Sequence, residues 1–210
     1  MDFAAARRAM VDSQLRPQAV TDPLVVGAMA SVARERFVGE EAAAAAYIDR
    51  IVPLSEGRAL SPPASVGRLL TELACRPGER ALVVGAGTGY SAAVLAEMGL
   101  AVTALESDPA LLAALRAVPG ITVVEGPLEA GAPAAGPFDV ILVDGLVEHL
   151  PDALIDQLAV GGRLGAGLVE GGVARLVTGT RSVHGFGSRS IADASMAPLP
   201  GFARPPVFTF

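Results

Sequence analysis

Apolar positions in this chain follow two periods, and the change from one to the other divides the sequence. Before residue 60 the apolar residues fall at helical spacing, as in the stretch 25–32. From Arg80 onward, short apolar runs alternate with helix-like stretches of about 10 residues. Such alternation predicts βαβ units, and therefore a parallel sheet that helices cover on both faces.

The pattern assigns most of the chain to particular elements. Helices are predicted at 3–13, 40–47, 90–98, 109–118 and 151–158, and two more begin near Thr21 and Ser61. Strands are predicted at 81–84, 101–105, 121–124, 138–143 and 164–168, with a Gly161-Gly162 turn before the last of these. Residues 51–54 are expected to be extended, and 175–180 and 207–210 to close the sheet as antiparallel strands.

The expected fold class is therefore α/β. We predict a Rossmann-like, doubly wound, mostly parallel sheet with antiparallel C-terminal strands, preceded by an N-terminal helical cap. The predicted domains are residues 1–60 for the cap and 61–210 for the sheet domain.

Composition first raises the question of a membrane protein. Hydrophobic residues make up 51% of the chain, and the mean hydropathy is +0.49. Residues 81–105 hold a single charged side chain, Glu97, and are long enough to span a bilayer. The run is interrupted by four glycines and by the polar cluster 88–91, which suits a strand, a glycine loop, a helix and a strand. We therefore expect no membrane contact.

Charge and cysteine content exclude further functional classes. A net charge of −6 without a basic run argues against a nucleic-acid surface. The lone cysteine, Cys75, allows no internal disulfide and no cysteine metal cluster. The N-terminus lacks the apolar region of a signal peptide, so a cytoplasmic location is expected.

A glycine-rich loop is the first candidate site. Gly85-Ala86-Gly87-Thr88-Gly89 lies between a predicted strand and a helix that begins at Tyr90. Glycines there permit positive φ and let a ligand approach the backbone. Glu106 ends the next strand, at a spacing typical of an acid that binds ribose hydroxyls. A nucleoside-containing cofactor is predicted, and the alternatives are a ligand-free turn and a solvated glutamate.

The sequence resembles the protein-L-isoaspartate O-methyltransferases over most of its length. The likeness lies in residues 10–15 (MVDSQL), 33–38 (ARERFV), 46–49 (AYID), 60–63 (LSPP), the glycine loop, 138–145 (FDVILVDG), 154–158 (LIDQL) and 161–164 (GGRL). The resemblance implies a class I methyltransferase that uses S-adenosylmethionine, releases S-adenosylhomocysteine and needs no metal. The implied substrate is a damaged protein or peptide, methylated on the α-carboxylate of an L-isoaspartyl residue.

The same resemblance implies roles for individual residues. Ser61 is expected beside the substrate carboxylate and the cofactor, and Glu106 on the ribose. The other expected cofactor contacts are Gly85, Ala86, Gly87, Thr88, Gly89, Tyr90, Ser107, Gly126, Pro127, Leu128 and Asp144. Ser61, just before two prolines and an apolar helix, also suits a helix N-cap without any substrate contact.

Three departures from the family pattern favour a second hypothesis. The acid usually found before the glycine loop is Val83, the Gly-Asp after the third strand is Gly126-Pro127, and Ala64 replaces an aromatic or histidine. They suggest a methyltransferase-fold protein with an altered substrate or lost catalysis that acts as a binding module. A third hypothesis, a nicotinamide-dependent enzyme, is disfavoured because Tyr90 stands where the dinucleotide fingerprint has glycine or alanine.

Overall fold

A seven-stranded sheet forms the centre of the computed structural model, which describes residues 1–204. The strand predicted at 207–210 lies outside the described residues. The strands are β1 (Val52–Ser55), β2 (Arg58–Leu60), β3 (Arg80–Val84), β4 (Ala101–Glu106), β5 (Ile121–Glu125), β6 (Phe138–Val147), β7 (Leu158–Glu170), β8 (Val173–Ser182) and β9 (Gly185–Asp193). β1 and β2 form a separate antiparallel hairpin.

The order of strands in the large sheet is β5-β4-β3-β6-β7-β8-β9. The first five strands pair in parallel, and β8 and β9 are antiparallel to their neighbours. This architecture confirms the predicted α/β fold class. From β3 the chain adds β4 and β5 on one side and then returns to place β6 on the other side of β3. Ligands of doubly wound sheets bind at the carboxyl edge beside the point where the strand order changes side.

The helices follow the predicted alternation with the strands. They are α1 (Phe3–Met10), α2 (Pro23–Ser31), α3 (Pro63–Leu73), α4 (Tyr90–Glu97), α5 (Pro109–Arg116) and α6 (Asp152–Ile155). α1 continues as a π-helical turn, Val11–Leu15. The longest of them, α3, has 11 residues, and none within residues 1–204 is long and apolar enough to cross a membrane.

Two predicted helices differ from those observed. The alanine-rich stretch 40–47 forms only a 3₁₀ helix, Glu40–Ala45, because its small side chains bury too little surface to support an α-helix. The stretch 151–158 is helical only over α6. The Gln157 carbonyl accepts the N–H of Phe138 at 2.8 Å, which draws the chain into the sheet, and β7 begins at the next residue.

Two parts of the sheet also depart from the prediction. Gly161-Gly162 lies inside β7, where Gly161 has φ +84° and the register with β6 shifts, so it is an irregularity within the strand. β9 was not predicted. It is an edge strand with mostly exposed side chains, so it lacks the apolar alternation that marks a buried strand.

One apolar core joins the N-terminal segment to the sheet. Met10, Leu15 and Met29 belong to the same buried cluster as Leu69 of α3 and Val83 of β3. The core is thus continuous across residues 60 and 61, and the predicted domain boundary there stays a prediction.

Candidate active site

The glycine loop leaves β3 at the carboxyl edge of the sheet and leads into α4. Gly85 and Gly87 have φ values of +75° and +59°, which L side chains rarely adopt. The β1–β2 hairpin and the C-terminal segment lie over this loop. A Cβ at Gly87 would meet Leu54 at 3.1 Å, and one at Gly85 would meet Leu199 at 2.8 Å. The loop backbone therefore faces a narrow space roofed by apolar side chains.

Glu106 is fully buried beside this loop. Its Oε1 accepts the N–H groups of Ser107 and Asp108 at 2.8 and 3.0 Å. Its Oε2 accepts the N–H of Gly87 and a guanidinium N–H of Arg58, both at 2.6 Å. The alternative of a solvated strand end is therefore wrong. A fixed carboxylate lies at the position predicted for binding ribose hydroxyls.

Arg58 is the residue of this site that sequence reasoning missed. It lies on β2, and its side chain is only 5% exposed. The charge of an arginine is rarely buried without a purpose or a partner. The sequence offered one clue that Arg58 belongs to the site: it follows Gly57 directly and lies three residues before Ser61.

Ser61 and Asp144 form the second polar group of the site. The Ser61 hydroxyl is buried and has no hydrogen-bond partner within residues 1–204. The N-cap of α3 is Pro62, so the N-cap hypothesis for Ser61 is wrong: both Ser61 and Pro62 precede a proline, which disfavours helical geometry at them. Asp144, in β6, accepts a hydrogen bond from Ser91 on one carboxylate oxygen, while the other is unpartnered in the described chain.

The electrostatics of Asp144 reflect its burial. Desolvation raises the pKa of the Asp144 carboxyl above its ordinary value. The nearby Ser91 and Ser61 hydroxyls and the charges of Arg34 and Arg58 oppose that rise. The Asp144 carboxyl is thus buried next to two hydroxyls and within the field of two cations.

Arg34 links the N-terminal segment to this cluster. It is fully buried, and its guanidinium donates to the carbonyls of Ala46 and Ser61. The guanidinium also stacks on the Tyr90 ring at 4.5 Å from the centroid, a cation–π contact. Burial raises the pKa of the Tyr90 phenol. Arg34 therefore fixes the backbone that presents Ser61.

The remaining predicted site residues divide into two groups. Gly126, Pro127 and Leu128 follow β5 at the same edge, and the N–H of Gly126 donates to the Glu106 carbonyl at 3.2 Å. By contrast, the Thr88 hydroxyl donates to the Phe37 carbonyl at 2.6 Å, and the Tyr90 side chain lies under Arg34. The side chains of Thr88 and Tyr90 thus contact the N-terminal segment.

Two departures noted in the sequence have structural counterparts. Val83 is fully buried in β3 among apolar side chains. Ala64 donates its backbone N–H to Asp49 at 3.0 Å, in the first turn of α3. Within residues 1–204, no three His, Cys, Asp or Glu side chains are grouped so that they could hold a metal ion.

Comparison with known proteins gives consistent results. A family model described as Protein-L-isoaspartate(D-aspartate) O-methyltransferase matches residues 5–178. The protein-L-isoaspartate O-methyltransferase of Methylorubrum populi is 43% identical over 203 residues, which cover 93% of this chain and 95% of its own. Protein-L-isoaspartate O-methyltransferase 1 of Rhodopseudomonas palustris is 40% identical over 207 residues, 95% of this chain and 84% of its own.

Two solved structures share the fold. A protein-L-isoaspartate O-methyltransferase superposes with a TM-score of 0.81 at 20% identity, over 93% of this chain and 66% of that longer chain. A Plasmodium falciparum protein of the same description, in complex with S-adenosyl-L-homocysteine, gives a TM-score of 0.74 at 23% identity, over 91% and 96% of the two chains.

These findings confirm the resemblance that the motifs indicated. They support the methyltransferase hypothesis, and nothing among them supports the catalytically inactive binding module. With a family model matched over most of its length and relatives of this identity, the chain belongs to the protein-L-isoaspartate O-methyltransferase family.

Proposed function

We propose that this protein transfers the methyl group of S-adenosylmethionine to the α-carboxylate of L-isoaspartyl residues in proteins or peptides, with S-adenosylhomocysteine as the product. One observation carries the proposal: beside the glycine loop, Glu106 holds the Gly87 N–H, while Asp144 at the same sheet edge is buried next to the Ser61 hydroxyl. Membership of the family supports it. The cytoplasmic location stays a prediction.

The residues present fit such a cofactor. The Glu106 carboxylate lies at the position expected for binding ribose hydroxyls, and the glycines at 85 and 87 place no side chain between the loop backbone and the Leu54 and Leu199 side chains above it. When bound, S-adenosylmethionine supplies an electrophilic methyl group on a sulfonium. We assign further cofactor contacts to Ala86, Thr88, Gly89, Tyr90, Ser107, Gly126, Pro127, Leu128 and Asp144, with Thr88 and Tyr90 contributing through their backbone.

The chemistry needs no general base. A carboxylate with a pKa near 4 is already ionised at pH 7, so it attacks without first losing a proton. The task of the protein is then to align the nucleophile, which accounts for large rate gains in oriented systems. The Ser61 hydroxyl is free to donate a hydrogen bond to that carboxylate. Burial of the site strengthens such a bond.

A paired peptide assay tests the proposal. We expect transfer of labelled methyl groups to a peptide that contains isoaspartate and none to the same sequence with aspartate. Equal labelling of both peptides, or labelling of neither by protein that binds S-adenosylhomocysteine in calorimetry, would refute the proposed substrate.

Ser61→Ala should reduce turnover far more than stability. Loss of one hydrogen bond to a charged group predicts a fall in kcat of about 10- to 100-fold. The free energy of unfolding should change by less than about 1 kcal/mol, because the hydroxyl lies near the Asp144 carboxyl but makes no well-formed hydrogen bond within the described chain. Methyl transfer to the isoaspartyl peptide and urea unfolding measure the two effects.

Ser65→Ala is the matched control for this substitution. Ser65 is a buried serine in the first turn of α3 whose hydroxyl makes a long hydrogen bond of 3.4 Å to the Ser195 carbonyl. Its replacement should leave kcat within about 3-fold of the wild type. Parallel losses of activity and stability in Ser61→Ala would show that Ser61 is only structural.

A further inference from the structure

Arg58 is a buried cation with donors to spare. Its Nη2 donates to Glu106 Oε2 at 2.6 Å and lies 3.5 Å from the position that a Cβ on Gly85 would take. The guanidinium therefore lies over the glycine loop. Its Nε and Nη1 are buried and have no hydrogen-bond partner in the part of the chain that the structure describes.

A structural arginine in the same molecule looks different. Arg163 is partly buried, and all three of its guanidinium nitrogens are paired: with the carbonyls of Leu73 and Ala74 and with both carboxylate oxygens of Glu79. Buried N–H groups of a charged side chain are costly when they lack acceptors. Arg34, which is buried as deeply, leaves one guanidinium nitrogen without an acceptor in the described chain, whereas Arg58 leaves two, so a purely structural ion pair explains Arg58 poorly.

The Glu106 carboxylate is already saturated. A carboxylate has about four acceptor positions. Those of Glu106 are taken by the N–H groups of Ser107, Asp108 and Gly87 and by Arg58. The three N–H groups belong to the adjoining backbone, whereas Arg58 reaches Glu106 through a flexible side chain. A ribose hydroxyl that binds Glu106 therefore takes the position of Arg58.

Once displaced from Glu106, the Arg58 guanidinium is expected to bind a carboxylate. It lies close enough to Asp144 for its charge to lower the pKa of that carboxyl, and Asp144 adjoins the Ser61 hydroxyl. The guanidinium thus pairs with the ribose acid and lies over Gly85, and its charge acts on the carboxyl beside Ser61. Guanidinium binds carboxylates with favourable charge and geometry. Both reactants of the proposed transfer carry one.

We propose that Arg58 is the carboxylate-binding residue of this site: it leaves Glu106 when the cofactor ribose binds and then holds a carboxylate of the reactants. This inference rests on the proposed function. The carboxylate belongs either to the amino-acid end of the cofactor or to the isoaspartyl substrate, and the experiment separates the two.

The test uses Arg58→Gln, with Arg58→Lys as a variant that keeps the charge and the pairing with Glu106. Calorimetry measures the binding of S-adenosylhomocysteine and of its decarboxylated analogue, which lacks only the carboxylate. If Arg58 holds the cofactor carboxylate, wild type prefers S-adenosylhomocysteine by about 10-fold or more, and Arg58→Gln loses that preference. If it holds the substrate carboxylate, Arg58→Gln raises KM for the isoaspartyl peptide about 10-fold and weakens neither Kd.

Whichever of Kd or KM changes in Arg58→Gln, Arg58→Lys should give a value between those of the wild type and Arg58→Gln. If Arg58→Gln does not fold, the same measurements on Arg58→Lys supply the test. Arg163→Gln, which removes a guanidinium paired with Glu79 in front of β3, is the control and should change neither Kd nor KM. Equal weakening of both ligands by Arg58→Gln, or no change in Kd and KM, would overturn the inference. Wild type is assayed first, so a failure of the proposed methyl transfer itself is seen separately.

Discussion

Replacement of Glu106 by alanine should lower the free energy of unfolding by about 3–5 kcal/mol. The substitution leaves the Arg58 guanidinium buried with no counter-charge, since the Arg58 and Glu106 side chains are 5% and 0% exposed. It also removes the acceptor of the Ser107 and Gly87 N–H groups. The same variant should lose binding of S-adenosylhomocysteine. Urea unfolding of the ligand-free protein and calorimetry measure the two losses.

The neighbouring strand offers the control for this effect. Glu125 ends β5, opposite Glu106 in the strand register, and pairs with Arg116 at 2.9 Å. Both partners are more than half exposed, so Glu125→Ala should cost less than about 1 kcal/mol. A double variant, Arg58→Met with Glu106→Leu, should regain the stability lost to the unpaired Arg58 charge, but neither the part lost with the backbone acceptor nor cofactor binding. A loss in Glu106→Ala no larger than in Glu125→Ala would contradict the buried pair.

The parts of the fold that sequence reasoning predicted are those with a local cause. The apolar runs of β3, β4 and β6 are strands because both faces of a parallel sheet are buried. The apolar run at 51–54 was expected to be extended and forms most of β1, whereas β2 and β9 lack such runs, because a short hairpin strand and an edge strand bury little. The shortness of α6 depends on a tertiary hydrogen bond between Phe138 and Gln157, which no local pattern contains.

The site shows the same division. Glu106 was predicted because its spacing from the glycine loop reflects one strand–loop–helix–strand unit. Arg58 lies 48 residues from Glu106 in sequence, and the two meet only because the hairpin folds back over the sheet edge. The burial of Tyr90 under Arg34 likewise joins distant segments. Local patterns therefore located the glycine loop and the acid beside it, while the two buried arginines of the site required the structure.

Gly87→Val should weaken binding of S-adenosylhomocysteine by about 100-fold or more. Gly87 has φ +59°, and its N–H donates to Glu106 at 2.6 Å. A Cβ there would point toward Leu54 at 3.1 Å, into the space between the hairpin and the loop. Valine, branched at Cβ, would both fill that space and pull the N–H away from the carboxylate. Calorimetry on the purified variant measures the affinity, and circular dichroism checks that it folds.

Gly87→Val could weaken binding through backbone strain as well as by filling the space of the ligand, and a second glycine separates the two causes. Gly78 has φ +86°, lies in the turn before β3 at the opposite edge of the sheet, and has nothing within 4 Å of a Cβ. Gly78→Val should therefore suffer the same kind of strain, about 1–2 kcal/mol, yet bind S-adenosylhomocysteine within about 3-fold of the wild type. If the two valine variants bound the ligand equally well, the cofactor would not lie over Gly87, and the assignment of the glycine loop as its binding site would fail.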